Sequence, residues 1–227
     1  MNPIAWLSEW MTAVLHTLYA VTGNYGVAII LLTVIVKSAL FPLTWQSTRQ
    51  MAAMQKIQPK VDALKVKHKD NPQAVQQEMM LLYKEHGVNP FGGCLPMLLQ
   101  IPFFLALFFA LSDKAFIELL SQPGIKSGLL WIKTVALPDA LPFVAAQLPM
   151  NLNHLFSPLV LLIALSTYLS QKTMGVSSPQ QKQMQMFMPV FIALISAGFP
   201  AGVQLYWVVS NMLTVGQQMF ILRKKEA

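Results

Sequence analysis

A chain of 227 residues with 55% hydrophobic and only 11% charged residues lies outside the range of soluble domains, which carry about 25% charged residues. The length suits one compact bundle, and the composition indicates an all-α integral membrane protein. The formal net charge of +7 suits an anionic membrane surface or nearby ribosomal RNA, while a single cysteine, Cys94, excludes an intramolecular disulfide and a thiolate metal site.

Residues 3–20 open the chain with Ile4, Leu7, Trp10, Met11, Val14, Leu15 and Leu18 at helical spacing. Polar residues fall between them, which predicts an amphipathic helix lying on the outer leaflet. Residues 1–25 contain no Lys or Arg and so do not match the charged start of a signal peptide.

The first expected span is 26–47. It encloses Lys37, a full charge inside an apolar run. Such a charge costs on the order of 2.5–3.5 kcal/mol on insertion scales and ordinarily faces water or a partner rather than lipid. The other reading is that the lysine stem snorkels to the cytoplasmic headgroups near Pro42.

Residues 49–86 form the main element outside the membrane. Met54, Ile57, Val61 and Leu64 make one helical stripe, and Val75, Met79 and Leu82 make a second. Asn71-Pro72 caps and starts the second helix, giving a cytoplasmic helical hairpin. It reads either as a self-contained spacer or as a docking arm for a cytoplasmic partner, with Lys60 and the Met-rich stripe as contact surface.

Four further spans are expected, at 93–112, 155–172, 185–199 and 202–222. The loop 113–153 is broken by prolines and is expected to hug the outer interface, with Cys94 as a small packing residue at the mouth of the second span. The fourth span covers roughly 22 Å, short of a hydrocarbon core of about 30 Å, and therefore thins the bilayer locally. A polar connector, 173–184, precedes it, and the tail is 223–227.

Arg49, Lys56, Lys60, Lys65, Lys67, Lys69 and Lys84 fall between the first two spans, with Lys172, Lys182, Arg223, Lys224 and Lys225 on the same side. The positive-inside bias makes that side cytoplasmic. A multi-pass inner-membrane protein with its N-terminus outside and its C-terminus inside is the expectation.

Polar residues recur within the spans. Thr33 lies one turn before Lys37. Gln100 sits in the second span, Ser166 and Thr167 in the third, and Gln204, Ser210 and Asn211 in the fifth beside Tyr206 and Trp207. Facing inward together they would line a hydrated groove. Individually, Ser and Thr also bond their own backbone or join helices, and Gln100 can satisfy carbonyls freed by Pro102. No acidic residue lies in any span, so Lys37 has no counter-ion within the membrane. His16, His68, His86 and His154 match no metal spacing, and no phosphate loop or Ser–His–Asp grouping occurs. Neither an enzyme nor a cofactor is expected.

Four segments in order resemble the YidC family of membrane protein insertases, which includes oxidase-assembly and thylakoid members. They are Ile35 to Thr44, Met54 to Lys60, Asn89 to Pro102 and Phe199 to Asn211. The resemblance is to a short form without the large periplasmic domain of Gram-negative-type members. It implies a five-helix core whose hydrophilic groove opens to cytoplasm and lipid and is closed to the outside. Thr33, Gln100 and Trp207 match positions lining that groove, and Lys37 stands where the family commonly has arginine. The implied function is insertion and chaperoning of nascent membrane proteins, with Lys37 attracting acidic guest segments. The partners would be the ribosome or signal-recognition targeting machinery at the hairpin, the Sec translocon and the lipid bilayer. A rival reading is a small anion transporter or channel using Lys37 as its site, although two repeated halves are not evident.

Overall fold

The computed structural model describes residues 3–68, 71–89, 95–140, 154–173 and 179–226. Lys69 and Cys94, with the reading of Cys94 as a packing residue, lie outside those residues, as do parts of the 113–153 loop and of the 173–184 connector. Among the described residues the fold is all helical: α1 (Pro3–Thr22), α2 (Tyr25–Ala39), α3 (Phe41–Lys67), α4 (Pro72–Glu85), α5 (Leu95–Ser112), α6 (Lys114–Leu120), α7 (Pro158–Thr173), α8 (Pro179–Ser196) and α9 (Ala201–Glu226).

The run expected as one span, 26–47, is two helices that meet at Leu40 with a bend of 63°. Pro42 explains the break: it has no N–H to donate, and its ring crowds the carbonyl one turn back, so it starts a helix better than it continues one. The first arm of the hairpin therefore begins at Phe41 and runs unbroken to Lys67. Among the described residues no single helix is long and apolar enough to cross a membrane alone, whereas α2 and α3 together pass that test as a bent pair.

Asn24 starts α2 by accepting hydrogen bonds from Gly26 N at 2.8 Å and Val27 N at 3.2 Å. Asn71 does the same for α4 through Ala74 N at 3.1 Å. The two hairpin arms pack on each other. Ile57 and Val61 are buried, and Met54, Leu64, Val75, Met79 and Leu82 are half-buried. Lys60 is exposed, and its Nζ donates to His86 Nε2 at 2.9 Å. His68 meets Glu78 at 2.8 Å, so polar clips join the arms at both ends.

α1 packs against α5 and α2. Met11 and Leu15 are fully buried, while Trp6 and Trp10 stay exposed. The helix expected to float on a leaflet is thus part of the tertiary core, with its tryptophans left on the free face.

The loop after α5 is likewise more than a surface strap. Val135 is fully buried, and Ile132 and Ala136 nearly so, in the same cluster as Ile29, Leu107 and Val203. Its backbone closes helix ends: Tyr25 N donates to Lys126 O at 2.9 Å, Ala201 N to Leu137 O at 2.8 Å and Gly202 N to Val135 O at 2.8 Å. These are donors that a helix N-terminus cannot satisfy internally.

Candidate functional site: a polar cavity beside Lys37

Trp207, Ser210, Asn211 and Thr214 follow one another at helical spacing on α9 and share one face of it. They meet α2 at Lys37, α5 at Gln100, Ile101 and Phe104, α7 at Thr167, Ser170 and Gln171, and α8 at Ile192. Together with Tyr206 these side chains line a cavity of about 280 Å³. Among the described lining residues Lys37 is the charged one, and none is His, Cys, Asp or Glu.

The polar groups are chained across helices. Lys37 Nζ donates to Thr214 Oγ1 at 2.9 Å. That hydroxyl spends its own proton on Ser210 O at 2.8 Å, which leaves its lone pairs for the ammonium. Gln100 Nε2 donates to Tyr206 Oη at 2.6 Å and to Ser210 Oγ at 2.9 Å. Asn211 Nδ2 donates to Ser166 Oγ at 3.2 Å and Thr167 Oγ1 at 3.0 Å. Gln217 Nε2 reaches the Lys37 carbonyl at 3.4 Å, just before the bend. On the other wall Phe104 meets Trp207 edge to face, with ring centroids 5.0 Å apart.

An ammonium has three donors, and Thr214 takes one, so Lys37 keeps capacity for an anionic or carbonyl guest. A helix is 10–12 Å across with its side chains; the cavity admits a short chain segment or a few side chains instead. Polar donors at one end and aromatic carbon at the other suit a mixed polar–apolar guest.

Of the residues singled out from sequence, Lys37, Gln100, Tyr206, Trp207, Ser210 and Asn211 come together here. Thr33 does not line the cavity. It is fully buried, and its hydroxyl donates to Ile29 O at 2.7 Å. Gln204 is also elsewhere. Its Nε2 ties the α8–α9 turn by donating to Ser196 O at 2.7 Å and Phe199 O at 3.2 Å. Thr214, Ser170 and Gln171 were not read as site residues. The spacing carries a signal for each: Thr214 continues the 207–210–211 stripe by one turn, and Ser170 and Gln171 lie three and four residues after Thr167.

Among the described residues the chain is thus a helical bundle whose cavity holds one lysine among amides, hydroxyls and aromatics. The family described as 60Kd inner membrane protein matches residues 17–227, and the chain belongs to that family. It is 42% identical over 222 residues to the membrane protein insertase YidC of Pelobacter propionicus, covering 96% of this chain and 39% of the relative. It is 40% identical over 223 residues to the protein of the same name from Syntrophobacter fumaroxidans, covering 98% of this chain and 37% of the relative. The chain therefore spans less than half the length of these curated relatives. A crystal structure of an active YidC insertase with its first transmembrane domain resolved superposes with a TM-score of 0.70 at 24% identity, over 95% of this chain and 46% of that one, which establishes the shared fold.

Proposed function

We propose that this chain is a non-enzymatic insertase and chaperone for nascent membrane proteins, with five spans, its N-terminus outside and its C-terminus in the cytoplasm. The observation that carries this reading is Lys37 hydrogen-bonded inside a cavity lined from several helices. A short acidic tail of a guest protein enters the cavity from the cytoplasm. The ammonium attracts it: at an effective dielectric of about 20, a pair 4 Å apart gains roughly 4 kcal/mol before desolvation. Amides and hydroxyls replace part of the water the tail gives up. The guest's apolar helix leaves sideways past Trp207 and Phe104 into lipid.

Two other features support the route. The apolar part of α8, Gln183–Ser196, is about 20 Å long at 1.5 Å per residue, which shortens the barrier beside the cavity. The hairpin of α3 and α4 presents Lys56, Lys60, Lys65, Lys67 and Lys84 as an exposed basic surface for the ribosome or targeting machinery, and the Sec translocon is a further partner. Hydrophobic partitioning and the membrane potential supply the energy.

Reconstitution tests the reading directly. Vesicles holding the chain are expected to insert a single-span guest with an acidic tail, and to leave anion flux at the level of protein-free vesicles. Saturable anion flux without insertion would favour a transporter instead.

A further inference from the structure

Asp139 lies in the loop outside the cavity, yet it touches α7, one of the helices that build the cavity. The residue is 5% exposed, and among the described residues it forms no ion pair. Oδ2 accepts from Trp131 Nε1 at 3.3 Å and from Leu159 N at 3.1 Å. Leu159 N is one of the unpaired donors in the first turn of α7, where a negative charge is also favoured by the helix dipole. The Asp139 carbonyl accepts from His154 Nδ1 at 2.8 Å. Two and four residues earlier, Leu137 O and Val135 O hold the first N–H groups of α9. One short stretch of loop thus grips the starts of α7 and α9 together.

Those two helices meet again deeper in, where Asn211 bonds Ser166 and Thr167. Leu159 is about 10 Å along α7 from Ser166 at 1.5 Å per residue. A slip of one residue along α7 would turn its face by about 100° and carry Thr167 and Ser170 away from the cavity. Trp131 Nε1 and Leu159 N donate to the same carboxylate oxygen, which joins the indole, the carboxylate and the helix end as one latch.

We propose that Asp139 is a positioning residue that sets the register of α7 against α9 and thereby assembles the polar wall of the cavity. The proposal rests on the insertase reading for its functional consequence, but not for its geometry.

The test uses the full chain in vesicles, with Cys94→Ser, Thr167→Cys and Asn211→Cys, and a short thiol-specific crosslinker. Asp139→Ala is expected to lower the 167–211 crosslinking yield of the folded protein at least threefold. Asp139→Asn, which still presents an acceptor oxygen, is expected to stay within twofold of the parent. In chains with Thr167 and Asn211 intact, guest insertion is expected to follow the same order. A merely structural carboxylate would lower the unfolding temperature and leave the crosslinking yield unchanged, and that result overturns the proposal. Trp131→Phe keeps an aromatic ring without the indole N–H and serves if Asp139→Ala does not fold: a drop of twofold or more supports the latch, and an unchanged yield overturns it. If the parent chain inserts no guest while Asp139→Ala still loses the crosslink, the insertase reading fails and the positioning role stands.

Discussion

Lys37 and Thr214 join the helix before the bend to the last helix of the bundle through a 2.9 Å hydrogen bond. The threonine hydroxyl donates to its own helix and accepts from the ammonium, so the cation is oriented without being neutralised. A carboxylate in the same place would form an ion pair and leave less attraction for an incoming guest. The arrangement keeps the charge available.

Lys37→Ala is therefore expected to reduce insertion of acidic-tailed guests about fivefold or more, the equivalent of about 1 kcal/mol. Guests with neutral tails should be little affected, and Lys37→Arg should retain activity, since the charge survives although the donor geometry differs. Insertion into reconstituted vesicles, scored by protease protection of the tail, measures this. Normal insertion of acidic guests by the alanine variant would remove the electrostatic step.

Gln100 is expected to matter for stability as well as for polarity. Gln100→Leu strips a donor from both Tyr206 and Ser210, and the loss should be about 1 kcal/mol, within the range for hydrogen bonds between membrane helices. Tyr206→Phe removes one of those two contacts and should cost less. Thermal unfolding in detergent micelles compares the two, and equal or reversed effects would count against the network.

Two glycines should tolerate alanine unequally. A Cβ on Gly128 would lie 2.6 Å from Ile132 O and 2.8 Å from Lys133 O, both backbone atoms. On Gly202 it would meet Leu111 Cδ1 at 2.6 Å and Ile29 Cδ1 at 2.8 Å, the far ends of side chains. Side-chain ends yield more readily, so Gly202→Ala should lose about 1–3 kcal/mol as overpacking, and Gly128→Ala more. Expression yield and unfolding temperature of the pair decide the order.

Removing residues 55–84 should leave the remaining helices folded and sharply weaken engagement with ribosomes or a targeting factor. Co-sedimentation with ribosomes gives the binding, and far-ultraviolet circular dichroism gives the fold. A deletion that binds ribosomes as well as the parent would reduce the hairpin to a spacer, which its internal clips at Lys60–His86 and His68–Glu78 already make physically sensible.

Much of the cavity is legible in the sequence because polar residues are few in the apolar runs and helical spacing is strict. Trp207, Ser210 and Asn211 had to share a face once α9 was recognised as a helix, and an apolar run that encloses Lys37 leaves few places for its charge. Thr33 and Gln204 show the limit of that reasoning. Both are polar and both sit in apolar runs, but one satisfies its own helix and the other braces a turn, and spacing does not distinguish these uses from a groove lining. The break at Leu40 was hidden because hydrophobicity continues past Pro42. The loop after α6 is the least legible element. Its role rests on backbone carbonyls at Lys126, Val135 and Leu137 bonding to remote helix ends, and backbone groups leave no periodic trace in side-chain order.

The 63° bend at Leu40 has a mechanical side. α3 extends from it as one helix from Phe41 to Lys67, about 40 Å long at 1.5 Å per residue, with its first turns packed on α9. Pro59 removes one N–H from the helix ladder, and a flex of about 10° there would carry the last turns, about 12 Å long, by roughly 2 Å while the packed turns hardly shift. The turn holding the cation sits at the bend, with its carbonyl tethered to Gln217. A load on the far tip thus moves the end of the arm and leaves the cavity end of α3 almost where it was.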